Sequence, residues 1–193
     1  MTKHLVIMVK EPHPGRVKTR LGRDIGMTTA AWWFRHQTRR LIRRLQDPRW
    51  TLTLAVAPDF EGMQSRVWDR RVARIPQGPG NLGDRMGRVF QGMPPGPVCI
   101  IGADIPGVTP ALIHDAFRVL GGHDAVFGPA PDGGYWLVGL KRNTTHPRGL
   151  FENVRWSTQH ALSDTLVTLS GKRVGYIQPL QDVDTVKDLR LIP

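Results

Sequence analysis

The sequence predicts an α/β protein of one domain, residues 1–193, built as a three-layer αβα arrangement around a mainly parallel, mixed sheet. Three observations lead there. Strand-like and helix-like segments alternate along the whole length, the pattern of crossover-connected strands. The first and strongest strand candidates, "HLVIMV" (4–9) and "GPVCIIGAD" (96–104), are continuous apolar runs rather than alternating ones. Such runs mark strands covered on both faces. Start and stop signals also sit where helices should begin and end, as with Thr109-Pro110 before "ALIHDAFRVL".

In order, the first strand at 4–9 leads into the loop "KEPHPGRVKTRLG" (10–22), which carries Lys10, Arg16, Lys18 and Arg20. A helix follows over 28–46. Ala31, Phe34, Thr38, Leu41 and Leu45 fall on one face at helical spacing, and Arg35, Arg39, Arg40, Arg43 and Arg44 take much of the rest. "DP" at 47–48 stops it. "TLTLAVAP" (51–58) is a second strand, 62–70 a short helix, and "RVARIP" (71–76) a third strand. "GPGNLG" (78–83) reads as a loop before a helix over 84–93. After the buried strand at 96–104 come a helix at 109–120 and strands at 124–130 and 135–140. A helix over 156–171 is expected to be capped by Ser157 and closed by Gly171. A last strand, "RVGYIQPL", and a terminal helical turn or two in "DTVKDLRLI" complete the chain.

Composition narrows the class. A chain of 193 residues is long enough for one well-buried core. Its single cysteine, Cys99, lies inside an apolar run, which excludes an intrachain disulfide framework and fits a reducing compartment. No stretch approaches the ~20 apolar residues of a membrane span. The N-terminus reads as a strand rather than a signal peptide, so a cytoplasmic location is expected. The net charge of +11 is one-sided: residues 1–50 hold twelve Lys/Arg against three Asp/Glu, whereas the last 93 residues balance. Such a field attracts anions, whether a phosphorylated metabolite, a nucleic acid or a membrane surface. A basic nucleic-acid-binding module is the alternative of another class, but no zinc-finger spacing or aromatic RNA-binding motif accompanies the charge, so no nucleic-acid partner is expected. Trp32 and Trp33 suit packing or part of a homodimer face.

In open α/β sheets, ligands bind beyond the carboxyl ends of the strands. The basic loop follows the first strand. Asp104 follows the strand at 96–104, Asp132 follows 124–130, and Asp182 and Asp184 follow "YIQPL". Cations and carboxylates gathered at one edge suit a metal–phosphate site, because Mg²⁺ prefers one or two carboxylates plus substrate phosphates. Lysine and arginine neutralise the remaining phosphate oxygens. The loop lacks the Walker lysine motif, and no dinucleotide-binding glycine fingerprint follows the first strand. Asp104 and Asp184 are expected to share one cation, or Lys18, between them. Asp182 should face the same side as Asp184, with Val183 opposite.

"VKEPHPGRVKTRLG", "GNLGDRM", "IGADIPGVTP", "PDGGYWLVGL", "RWST" and "DVDTVKDL", in that order, resemble the motifs of one bacterial family. These are the glycosyltransferase-like proteins of GT-A, or nucleotide-diphospho-sugar transferase, fold, more distantly similar to 2-phospholactate guanylyltransferase. The resemblance implies a nucleotide or nucleotide-sugar donor, a small-molecule acceptor, and Mg²⁺ or Mn²⁺. It makes Asp104 and Asp184 the metal carboxylates, and Lys18 and Arg20 the phosphate contacts. Lys10, Gly15, Gly83, Arg85, Asp104, Gly133 and Gly134 become substrate-binding positions. The D-x-D of many GT-A glycosyltransferases stands here as "ADI". Two reactions fit. In glycosyl transfer, the favoured one, the metal holds the departing nucleoside diphosphate and Asp132 serves as base. In nucleotidyl transfer, Lys18 and Arg20 stabilise charge at the attacked phosphate while pyrophosphate leaves.

Overall fold

A computed structural model describes residues 1–142, 147 and 149–190. Strand β1 (His4–Lys10) is flanked by β2 (Thr51–Ala57) and β4 (Val98–Gly102), both parallel to it. Beyond β2 lies β3 (Ala73–Pro76); beyond β4 lie β6 (Tyr135–Leu140), β5 (Ala125–Pro129) and β7 (Val174–Tyr176). The seven strands run in the order β3-β2-β1-β4-β6-β5-β7, and only β6 is antiparallel to its neighbours. The expected mixed, mainly parallel sheet is what the chain forms.

The pleat explains the continuous apolar runs. Leu5, Ile7 and Val9 of β1 join Cys99 and Ile101 of β4 in one buried cluster. There they meet α2 (Met27–Arg44) through Phe34, Leu41 and Ile42, and α5 (Pro110–Gly122) through Ile113 and Phe117. Val6, Val98 and Ile100 point to the other face. They meet Met86, Val89 and Phe90 of α4 (Leu82–Gly92), with α6 (Ala161–Val167) packed alongside through Leu162 and Leu166. Every second strand residue therefore enters a different core, giving three layers. Burial pushes the Cys99 thiol far above its ordinary pKa, so it is a packing group. No described helix is long and apolar enough to cross a membrane.

Four elements differ from expectation. The basic loop contains a seven-residue helix, α1 (Thr19–Ile25), which starts without any side-chain cap. The helix expected over 62–70 is α3 (Asp59–Gln64). It stops at Ser65, whose hydroxyl donates to Glu11 Oε1 and accepts the Val67 N–H, turning the chain so that Trp68 is buried. The helix expected over 156–171 is only α6. Ser157 is not its cap: it sits at φ 60°, and the helix starts after His160. The strand expected over 173–180 ends at Tyr176. From there the chain crosses the sheet edge on isolated bonds, Ile177 N–H to Phe127 O and Leu180 N–H to Pro129 O. This crossing brings residues 182–184 to the end of β4, where the Val183 N–H donates to Asp104 O. The terminal turn α7 (Val186–Arg190) is present, and the rest of its expected span, 191–192, lies outside the described residues.

Candidate active site

The carboxyl ends of β1 and β4 open onto a cleft of about 730 Å³. Lys10, Arg16, Lys18, Arg20 and Arg85 line it, with Asp104 and Asp184 at its floor. Five cations against two carboxylates give the cleft a positive field, in a volume suited to a small ligand.

Lys18 is the centre of the arrangement. Its backbone is left-handed, φ 47° and ψ 46°, a conformation that costs a side-chain-bearing residue about 1–2 kcal/mol. Its side chain is 6% exposed, and its ammonium lies 2.6 Å from Asp104 Oδ2, 2.8 Å from Asp184 Oδ1 and 3.9 Å from Asp182 Oδ2. Burial pulls the lysine pKa down, but Asp104 and Asp184 outweigh it, and the net direction is up. The ammonium is therefore charged throughout the physiological range. Arg20 adds a second contact to Asp184, at 3.0 Å. Residues 166 positions apart in sequence thus meet on one charge, and the ion pairs hold the strained backbone in place.

Oxygens of Asp104, Asp182 and Asp184 lie within 4.8 Å of one another. Two nearby cations do not balance three carboxylates. Asp182 shows the excess: burial first, then Asp184 and Asp104, push its pKa up to about 6. Between about pH 4 and pH 6 such a group is protonated in the folded state while ionised in the unfolded chain. It favours folding at low pH, and that contribution is lost as pH rises from about 4 to about 6. In metal-free buffer, Asp182→Asn is therefore expected to remove this decline and raise stability at neutral pH. Asp182 is 37% exposed and partly screened, so the gain is about 1 kcal/mol. Urea midpoints at acid and neutral pH measure it. A decline of equal size in the variant would assign it to another group.

The other expected site residues are placed as follows. Arg85 reaches the cleft from α4, its Nε–H donating to Gly80 O at 3.0 Å. Gly15, at φ 75°, bends the loop ahead of Arg16 and does not line the cleft. Gly83 faces away, where a Cβ would meet Trp156 Cζ2 at 2.7 Å and Phe151 Cβ at 2.8 Å. Gly83→Ala is accordingly expected to cost about 1–3 kcal/mol by overpacking. Thermal unfolding tests this, and unchanged stability would contradict it. Asp132 accepts the Gly134 N–H at 2.9 Å, and Gly133 takes φ 85° in the same turn. This turn lies outside the cleft lining, although the Asp132 charge reaches Asp182.

Several cleft residues carried no individual signal in the sequence. Gln77 is buried, and its amide donates to Val9 O at 3.1 Å and Ala55 O at 2.8 Å, tying the ends of β1 and β2 together. Gly80, Asn81 and Leu82 line the cleft where α4 begins. Asn81 forms a capping box with Asp84, whose carboxylate accepts the Asn81 N–H in return. The motif "GNLGDRM" was the sequence's pointer to this corner.

Residues 41–158 match the family described as "Uncharacterized protein conserved in bacteria (DUF2064)". The chain belongs to this family. A comparison with curated proteins found no match. Among solved structures, the chain is similar to a protein of Desulfovibrio desulfuricans G20 described as a nucleotide-diphospho-sugar transferase. The identity is 29% and the TM-score 0.85, over 99% of this chain and 86% of that one. It shares its fold with 4-diphosphocytidyl-2C-methyl-D-erythritol synthase from Anaerococcus prevotii, at 10% identity and TM-score 0.62, over 98% and 95% of the chains. It also shares it with Rv0371c of Mycobacterium tuberculosis, solved in complex with manganese, at 18% identity and TM-score 0.54, over 98% and 96%. The DUF2064 chain thus has the nucleotide-diphospho-sugar transferase fold.

Proposed function

We propose that this protein is a metal-dependent transferase that uses a nucleotide-sugar donor and transfers its glycosyl group to a small-molecule acceptor. The observation that carries the reading is Lys18, held between Asp104 and Asp184 on the floor of a cationic cleft at the strand ends. The 29% identical relative described as a nucleotide-diphospho-sugar transferase supports it over 99% of the chain. In this reading residues 1–193 form one catalytic domain.

The donor's diphosphate lies among Lys10, Arg16, Arg20 and Arg85, each able to neutralise a phosphate oxygen. Lys18 stabilises the negative charge that develops on the departing nucleoside diphosphate. Asp132 accepts the proton of the attacking acceptor hydroxyl. One of its oxygens is already engaged by the Gly134 N–H, which orients the other. The donor set fits a divalent ion: three hard carboxylates with their oxygens within 4.8 Å carry more charge than Lys18 and Arg20 neutralise. Asp104 and Asp184, with Asp182 beside them, would hold Mg²⁺ or Mn²⁺, which neutralises phosphate charge as a Lewis acid.

Nucleotidyl transfer from a triphosphate to a phosphorylated acceptor is the second reading, favoured by the number of cations in the cleft. Product analysis separates the two. Release of nucleoside diphosphate from a nucleotide sugar is expected. Pyrophosphate release from a triphosphate, with no turnover of nucleotide sugars, would select the second reading.

A further inference from the structure

One strongly charged surface takes no part in this chemistry. Helix α2 has 18 residues, about 27 Å, and contains no acidic side chain. Its inner face is consumed by the core. Its outer face carries Trp32, His36, Arg39 and Arg43, all exposed and spaced i, i+4, i+7 and i+11, so that they form one straight stripe. Arg40, also exposed, flanks the stripe on the side of a cavity that it lines with Asp182 and Asp188. Among the described residues none of Arg39, Arg40 and Arg43 has an ion-pair partner. Elsewhere arginines do find one, as Arg49 does with Asp47, Arg71 with Asp69 and Arg155 with Asp164. Trp32 is 58% exposed, its ring centroid 4.9 Å from that of His36. An indole left in water costs free energy that a cationic surface alone does not require.

We propose that the outer face of α2 docks on an anionic lipid surface, with the arginines on the headgroups and Trp32 at the headgroup–acyl boundary. Charge complementarity is the first argument: unneutralised arginines attract an acidic leaflet, each worth about fivefold in binding. Shape is the second. A straight, convex helical stripe touches a plane along its whole length, whereas single-stranded nucleic acid is held in grooves with stacking platforms. The indole is the third, because its apolar body and polar N–H suit the membrane interface. The helix lies on the surface and does not span it. Phe34, on the opposite side of the same helix, lines the cleft, so docking leaves the cleft uncovered.

Co-sedimentation with phosphatidylcholine vesicles, with and without phosphatidylglycerol, tests the proposal. The full chain is expected to bind only the anionic vesicles and to be released by salt. Replacing Arg39, Arg40 and Arg43 together by Gln is expected to weaken binding about a hundredfold. A control variant with Arg70, Arg118 and Lys172 changed to Gln loses the same charge from exposed positions elsewhere and is expected to bind nearly as wild type. Brominated lipid is expected to quench the fluorescence of the wild type, and Trp32→Phe to abolish the quenching. Equal losses in the two triple variants, or no loss in either, would overturn the proposal. So would tighter binding to a single-stranded RNA homopolymer than to anionic vesicles at the same salt, or a dimer in solution that Trp32→Ala splits.

Discussion

Lys18→Ala is expected to weaken the binding of nucleoside triphosphates about ten- to a hundredfold, the worth of one charge-assisted phosphate contact at about 1.5–3 kcal/mol. The loss should be largest for triphosphates, smaller for diphosphates and smallest for monophosphates, since each phosphate removed lowers the charge Lys18 meets. The same substitution leaves Asp104, Asp182 and Asp184 with oxygens within 4.8 Å and no ammonium among them. Removing one partner of a buried pair costs about 3–5 kcal/mol, but Asp104 and Asp184 are 29% and 37% exposed, so about 1–3 kcal/mol is expected here. A divalent ion can take the vacated position. Mg²⁺ or Mn²⁺ is therefore expected to raise the melting temperature of Lys18→Ala more than that of wild type. If nucleotide and nucleoside binding weaken equally, the lysine does not serve phosphate. If the ion stabilises variant and wild type alike, it does not take the place of the ammonium.

Asp104→Asn is the second large effect. The amide keeps the shape of the side chain and removes its charge, so Lys18 retains only Asp184 as a close anionic partner. Residues that merely orient metal ligands cost about 10–100-fold in metal affinity when replaced, and a ligand should cost at least as much. The variant is expected to fold normally and to lose divalent-dependent nucleotide binding and turnover together. Turnover within a few-fold of wild type at saturating Mg²⁺ or Mn²⁺ would remove Asp104 from the site.

How much of this was legible in the sequence differs from residue to residue. Asp104 could be located because "VCIIGAD" is an unambiguous buried strand, and the position just past such a strand faces the ligand edge of an open sheet. Lys18 could be suspected for the same reason after β1, but its left-handed backbone could not be foreseen. Nor could α1, which is only seven residues long and has no side-chain cap to announce it. Asp182 and Asp184 were assigned to the end of a strand over 173–180. The chain instead leaves the sheet at Tyr176 and reaches Asp104 through bonds to Phe127, Pro129 and Asp104 itself. Those contacts are long-range, and no local pattern encodes them. Ser157 had the right type for a helix cap, yet tertiary context put it at φ 60° on the wall of the cleft. Gly83 sat in a motif that suggested ligand contact, whereas its lack of a side chain admits Trp156 and Phe151. Local patterns thus revealed the strands and their ends; packing decided which groups converge there.

The central claim is that the cleft holds a nucleotide with a divalent ion at Asp104. A thermal-shift panel of nucleoside triphosphates and nucleotide sugars, with and without Mn²⁺, on wild type and Asp104→Asn tests it most directly, because a ligand that binds only the folded state raises the melting temperature. The account predicts a Mn²⁺-dependent rise in wild type for at least one nucleotide sugar, and its absence in Asp104→Asn. No shift with any nucleotide, or shifts of equal size in both proteins, would contradict it.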